Sequence, residues 1–270
     1  MKWGIICNYN IEKACKTAKE IYEFLKDNEE IFVEDSYAKN FKVKGYTHEE
    51  INNKADIVIT IGGDGTILRA LEKIEKPIFA INSGGMGFLT ESKPEHAKEK
   101  ISQIMKGNYN VEERAKLKVL VDGKRLPDAT NEVTVQTARI AKMIYIEVTI
   151  EGESIETFGA DGVIVATPTG STSYALSAGG PILDPSVNAM VIAPLAPFKL
   201  SARPWVVPLD KKVGIKLVHK TKESKIVIDG ESPQLVNLDS KIEITYSEKK
   251  ARFVRFGETF YQMVRLKLVR

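Results

Sequence analysis

The chain has 270 residues, 43% of them hydrophobic and 28% charged, with a formal net charge of +3 and two cysteines. That length can bury one large core or two modest ones, and so small a charge, with no Lys/Arg block, gives no footing for a nucleic-acid or membrane-surface partner. Cys7 and Cys15 lack a second pair for a zinc site and read as buried free thiols; with no leader pattern and no bilayer-length apolar run, the expectation is a reduced cytoplasmic protein.

Trp3 to Cys7 reads as a buried strand. Apolar residues then recur at three- and four-residue spacing from Ile11 through Ala14, Cys15, Ala18, Ile21 and Tyr22 to Leu25, which predicts a helix. Ile31 to Val33 is a weaker strand, and Ile57 to Ile61, β-branched and apolar on both faces, is a central parallel one. Ile67, Leu68, Leu71 and Ile74 follow at helical spacing, and Pro77 to Ile81 returns as a strand. This alternation predicts an open α/β sheet with right-handed crossovers. Near Gly107 the texture changes to short alternating strands. Ile144, Ile146, Val148 and Ile150 share one face, and turn signals stand at Asp122-Gly123, Glu151-Gly152, Asp161-Gly162 and Asp229-Gly230. The expected organisation is an N-terminal α/β lobe over 1–107 and a β-rich lobe over 108–250. A tail over 251–270 has no clear period, and a return to the first lobe is one reading of it.

Three segments carry chemistry. Gly62-Gly63-Asp64-Gly65-Thr66 lies between a buried strand and an amphipathic helix. Its glycines let a ligand approach the amides, and the helix start favours a phosphate. A carboxylate there repels that phosphate unless it holds a cation or takes a proton from an attacking hydroxyl, which points to phosphoryl transfer; the bland reading is a helix cap. The turn is neither a Walker loop nor a dinucleotide fingerprint. A second glycine cluster, Asn82 to Leu89, follows the next strand and shares its carboxyl edge with Asp64.

The third segment, Thr167 to Tyr174, has six hydroxyl-bearing residues in eight positions, able to grip ribose, phosphate or base edges. Gly179-Gly180-Pro181 closes it after one or two helical turns. Asn131-Glu132 sits in a strand-like stretch, where neighbouring side chains point to opposite faces, so at most one is expected to face the core. Taken singly, Asn131, Glu132 and Asp161 read as turn or solvated residues.

In this order the segments resemble the NAD kinase family. The Gly-Gly-Asp-Gly-Thr turn is shared with diacylglycerol and sphingosine kinases, whereas Thr167 to Tyr174 following Asp161-Gly162 is similar to NAD kinases specifically. The resemblance implies an α/β lobe and a β-rich lobe with the active site between them, and phosphorylation of the adenosine ribose 2′-hydroxyl of NAD to give NADP. It implies Asp64 as proton acceptor, with Gly65 in the same turn and Arg69 as a nucleotide contact. Asn131 and Glu132 would hold the adenosine ribose and base, and Asp161 the nicotinamide side. Thr172, Ser173, Tyr174, Ala175, Leu176 and Ser177 would wrap the adenine, with Lys142 and Ala196 at further pocket positions. Mg²⁺ would arrive with the donor, ATP or polyphosphate, since no His/Cys/carboxylate cluster forms a closed site, and the chain would assemble as a homodimer or homotetramer. Two departures stand out: Gly159 where the family has Arg, and Glu231 where many members have Gln. Lys199 and Arg203 could meet the new 2′-phosphate or form a solvated basic face. The competing readings are a lipid kinase with the same glycine turn and a non-catalytic NADP-binding module.

Overall fold

The structure is a computed structural model and describes residues 1–84, 87–219, 223–257 and 260–268. The chain divides into two units, Met1–Glu113 with Ala251–Arg270, and Arg114–Lys250.

The first unit alternates strands and helices: β1 (Lys2–Cys7), α1 (Glu12–Leu25), β2 (Glu30–Glu34), α2 (Asp35–Ala38), β3 (Gly45–Tyr46), α3 (His48–Lys54), β4 (Ile57–Gly62), α4 (Asp64–Leu71), β5 (Ile78–Asn82) and α5 (Ala97–Met105). The strands pair in parallel in the order β5-β4-β1-β2-β3, and Phe253 joins the free side of β5 beside Ile78. Alternate residues of each strand serve opposite faces. Trp3, Ile5, Ile57, Ile59 and Ile61 pack on α1 and on Ile101 and Ile104 of α5. Ile6, Val58 and Ala80 pack on Ile51 of α3 and on Ile67, Ala70 and Leu71 of α4. Helices on both faces explain why these strands are apolar throughout instead of alternating. Cys7 is buried as expected, but Cys15 is only half-buried, its thiol against the Tyr9 carbonyl at the rim of α1.

The second unit is β-rich. Its elements are β6 (Asn110–Val121, which begins in the first unit), β7 (Lys124–Arg125), β8 (Glu132–Thr137), β9 (Ile144–Ile150), β10 (Glu153–Ala160), β11 (Gly162–Ala166), α6 (Tyr174–Ser177), β12 (Ala189–Leu195), β13 (Trp205–Pro208), β14 (Val213–Val218), β15 (Ser224–Ile228), β16 (Glu231–Val236) and β17 (Ile242–Arg255). One antiparallel sheet runs β13-β12-β11-β8-β15-β16, and β10, β9, β14 and the first part of β17 pair antiparallel in another. Val133, Val135, Val163, Val165, Ile192 and Ile226 of the one sheet meet Ile144, Ile146, Val148, Val213, Ile215 and Ile244 of the other in one core. An α/β unit and a β-rich unit are what the sequence predicts. The last residues of β17 return the chain to the first unit, where α7 (Phe260–Leu268) follows.

Two local expectations change. Asp161-Gly162 is no hairpin turn, because β10 and β11 belong to different sheets and Asp161 alone carries the chain across, with Gly162 already in the ladder. Among the described residues of the segment from Ala251, the first five complete β17 and Phe260–Leu268 form a helix with no buried residue, a mixture that leaves no single period to read.

The turn of 3₁₀ helix at Thr169–Thr172 lies directly on the chain entering β8. A Cβ at Gly170 would stand 2.1 Å from the Asn131 carbonyl oxygen and 2.4 Å from its carbon, both backbone atoms that cannot swing aside. Gly170→Ala is therefore expected to cost about 1–3 kcal/mol or more of unfolding free energy, as overpacking does. A urea midpoint equal to the parent's would contradict this contact.

Candidate active site

In the first unit, β4 ends at Gly62, Gly63 is the N-cap and α4 begins at Asp64. A Cβ on Gly63 or Gly65 would meet nothing within 4 Å, so the turn leaves open space where the helix amides begin. Asp64 does not cap its own helix. Its Oδ2 accepts the Phe88 N–H at 2.7 Å and its Oδ1 the Leu89 N–H at 3.2 Å. The carboxylate thus ties the first glycine turn to the second, which hangs from the neighbouring parallel strand β5. Gly87 is glycine for the same reason: a Cβ there would lie 1.8 Å from Asp64 Oδ1. Gly85 and Met86 of that second loop lie outside the described residues. Lys267 of α7 reaches the Gly87 carbonyl and stands 4.3 Å from the Phe88 ring centroid.

Arg69 is five residues beyond Asp64, about 140° round the helix. Its guanidinium pairs at 2.7 Å with Glu34 at the end of β2, and His48 Nε2 lies 2.9 Å from the same carboxylate. Burial pushes the Glu34 carboxyl up, but His48 and Arg69 together outweigh it and hold it below its ordinary range. Burial also raises the Cys7 thiol, with Cys15 adding to the effect. The pairing of Glu34 with Arg69 and His48 was invisible in the sequence, where Glu34 is one acid at a strand end.

In the second unit the hydroxyl-rich segment divides. Thr167, Thr169 and Ser171 are buried and hold the segment together. Thr167 Oγ1 donates to the Thr130 carbonyl at 2.6 Å and accepts the Gly170 N–H at 3.0 Å; Ser171 Oγ donates to the Pro168 carbonyl at 2.6 Å and accepts the Leu183 N–H at 2.9 Å. Thr172 and Ser173 are half-buried and Tyr174 is exposed. Of six hydroxyls, then, the inner three are consumed within the segment; of the outer three, Thr172 donates to the Thr169 carbonyl at 3.3 Å and Ser173 bonds to Glu132, while Tyr174 is exposed. Ala175 is buried in a small core with Ile164 and Val191, Leu176 is half-buried and Ser177 exposed.

Asn131 and Glu132 are both buried, which corrects the expectation that one would be solvated. Strand alternation does not govern this pair, because β8 begins only at Glu132 and Asn131 lies outside the ladder. Burial and the nearby Asp229 charge push the Glu132 carboxyl up to about 7, against opposing hydrogen bonds from the Ser173 hydroxyl and the Tyr174 N–H. Its Oε2 is buried without a partner. Asn131, Glu132, Ser173 and Tyr174 are therefore brought together.

Asp161 and Ala196 form a separate pair. They flank the Gly162↔Leu195 rung at the opposite end of β11, four strand residues or about 13 Å away. Both are exposed, and Ala196 has the left-handed φ of 44°. Lys142 is exposed on the loop before β9, with none of the other expected residues on its element. Lys199 pairs with Glu156 at 3.1 Å, and Arg203 donates to the Leu200 and Ala202 carbonyls, so neither is a bare basic face.

The Glu132 environment has a measurable consequence. A carboxyl held at about 7 in the fold, against an ordinary 4.5, keeps its proton longer in the folded than in the unfolded chain. Stability from this group is full below about pH 4.5 and is lost as pH rises through about 7. Glu132→Gln removes the titration, so the variant should gain on the parent by about 2–4 kcal/mol between pH 5 and pH 8. The check is urea unfolding of both proteins at the two pH values. A difference that does not vary with pH would sink this account of Glu132.

Comparison with known proteins bears on both units. The family model for the ATP-NAD kinase N-terminal domain matches residues 3–109, and that for the ATP-NAD kinase C-terminal domain matches residues 130–256. The NAD kinase of Methanothermobacter thermautotrophicus is 42% identical over 274 aligned residues, covering 100% of this chain and 96% of its own. That of Thermococcus kodakarensis is 39% identical, covering 99% of each. Among solved structures, an NAD kinase from Archaeoglobus fulgidus in complex with ATP matches at TM-score 0.80 and 30% identity over 97% of each chain. Yeast NADH kinase complexed with NADH shares the fold at TM-score 0.91 and 23% identity, over 100% of this chain and 87% of that one. The chain belongs to the NAD kinase family.

Proposed function

We infer that the chain phosphorylates the 2′-hydroxyl of the adenosine ribose of NAD to give NADP, with Asp64 as the general base and Mg-ATP as donor. The observation that carries this reading is the Asp64 carboxylate, aimed by two backbone N–H bonds and standing beside a glycine turn with open space around it. In the reaction the 2′-hydroxyl proton passes to Asp64 as the oxygen attacks the terminal phosphorus, the bond to the bridging oxygen breaks, and ADP leaves. Positioning and charge neutralisation supply most of the acceleration in such a transfer, with Mg²⁺ travelling as part of the co-substrate. The open amides around Gly63 and Gly65 suit the phosphate chain.

The nucleotide-holding roles follow from burial and chemistry. Asn131 and the unpartnered oxygen of Glu132 supply polar groups for ribose and base, while Thr172, Ser173, Tyr174 and the backbone through Ser177 contact the adenine. Asp161 and Ala196, at the other end of β11, take the nicotinamide side, and Lys142 lies at the margin. Arg69 keeps 39% of its side chain exposed beside Glu34 and holds a nucleotide phosphate. A cytoplasmic location and assembly as a homodimer or homotetramer complete the reading. The exposed apolar side chains of edge strands β13 and β16, Val206 and Leu235 among them, suit pairing between copies.

Asp64→Asn tests the base. Loss of general-base participation should lower kcat by at least about 10²-fold. The amide also turns an NH₂ toward the Phe88 or Leu89 N–H, so a stability cost of about 1–3 kcal/mol is expected beside it. Assays well below the unfolding temperature separate the two effects, and NAD affinity by calorimetry should change little. A variant with near-parental kcat would reduce Asp64 to a clip between loops.

Thr172→Val tests the adenine contacts. Removing the hydroxyl leaves a polar group of the ligand unpaired, and KM for NAD should rise by the equivalent of about 1–3 kcal/mol. An unchanged KM would return this hydroxyl to its internal bond with Thr169.

A further inference from the structure

Asp229 stands at the corner between β15 and β16 with a left-handed φ of 49°. Two other hairpin corners of this unit begin with an acid in the same conformation, Asp122 (φ 52°) and Glu151 (φ 53°). Those two are exposed, and each accepts a single N–H from a distant loop, that of Lys241 and Lys212 respectively, at 2.7 Å. Asp229 is different. Its Oδ1 accepts the N–H groups of Asn131 at 2.7 Å and Glu132 at 3.0 Å, and its Oδ2 accepts that of Thr130 at 2.7 Å. Its own N–H donates to the Glu132 carbonyl at 3.0 Å, so the grip runs both ways.

Thr130 and Asn131 precede β8, so the sheet ladder offers their N–H groups no strand partner. Both residues are buried, and unpaired N–H groups there would be costly. The carboxylate supplies what the sheet cannot, and it does so from 97 to 99 residues along the chain, through the pairing of β15 with β8. Asp122 and Glu151 each secure one N–H of a distant loop at the surface, whereas Asp229 gathers three from the very segment that carries Asn131 and Glu132. We propose that Asp229 is a positioning residue for nucleotide binding, its carboxylate fixing the backbone from which Asn131 and Glu132 meet NAD. The proposal rests on the reading of Asn131 and Glu132 as the nucleotide-holding pair.

The groups facing this point are Asp229 from the β15–β16 corner, Ser173 and Tyr174 from the hydroxyl segment, and the buried Lys116 of β6. Burial pushes the Asp229 carboxyl up, while its three N–H donors and Lys116 favour the anion. That anion adds to burial, the larger cause, in raising Glu132, so Asp229 acts on both the placement and the charge of the pair.

Asp229→Asn keeps the volume but offers one acceptor oxygen in place of two. KM for NAD should rise about tenfold or more, the loss expected when hydrogen bonds to a charged group are broken. The kcat should stay within about threefold, because the group proposed for the chemistry is elsewhere. The Glu132 carboxyl, followed by ¹³C NMR, should titrate at lower pH in the variant. Asn131→Ala run in parallel separates two failures. If it raises KM while Asp229→Asn does not, Asp229 is no positioning residue; if neither raises KM, the nucleotide reading of the pair falls and takes this proposal with it. Should Asp229→Asn not fold, amide exchange on the parent protein decides. The N–H groups of Thr130 and Asn131 should exchange as slowly as those inside β8, and rapid exchange would overturn the grip.

Discussion

A carboxylate set inside a glycine turn, at the start of a helix whose amides lie open, has to be held by something, and here the holders are the N–H groups of Phe88 and Leu89. Much of the first unit's layout serves this one contact. β4 and β5 are adjacent and parallel, so the loops leaving their carboxyl ends emerge side by side, where open α/β sheets place ligands. Asp64 bridges those loops, and the bridge explains glycine at position 87, where a side chain would occupy the space of the carboxylate. Lys267, carried back by the returning chain, presses on the same loop from α7. A local motif is thereby fastened by residues far from it in sequence.

The second unit solves a similar problem with a similar device. Chain segments outside a ladder carry N–H groups that must be paired when buried. Side-chain oxygens do this at Thr130 and Asn131, through Asp229, and in the hydroxyl segment, through Thr167 and Ser171. The consequence is economy of a chemical kind. The inner hydroxyls are consumed in shaping the segment, while the outer ones lie nearer the surface and one Glu132 oxygen lacks a partner. Leaving a buried oxygen unpaired costs stability.

Where burial follows a period, the sequence was readable. β1, β4 and β5, with the helices α1 and α4, lie within a residue or a few of where apolar spacing puts them, because both faces of each strand are covered. The β-rich half was equally legible from alternation and turn chemistry. Asp64 was legible because a carboxylate among glycines is chemically odd. Long-range pairing was not legible. Nothing local in Asp229-Gly230 separates it from the other acid-Gly corners; the difference is its partner strand, which only topology reveals. Glu34 was missed for the same reason, since its meaning comes from Arg69 and His48. The hydroxyl count overstated how many hydroxyls the loop leaves unspent, because composition cannot say which of them a loop will use on itself.

The central claim is that this chain places a phosphoryl group on one particular oxygen of NAD. The direct measurement is to incubate the purified protein with NAD and Mg-ATP and locate the new phosphate by ³¹P NMR, beside a parallel incubation with the 2′-deoxyadenosine analogue of NAD. The account predicts a single product phosphorylated at the adenosine 2′-oxygen and no turnover of the analogue. Phosphate on any other hydroxyl, or turnover of the deoxy analogue, would contradict it.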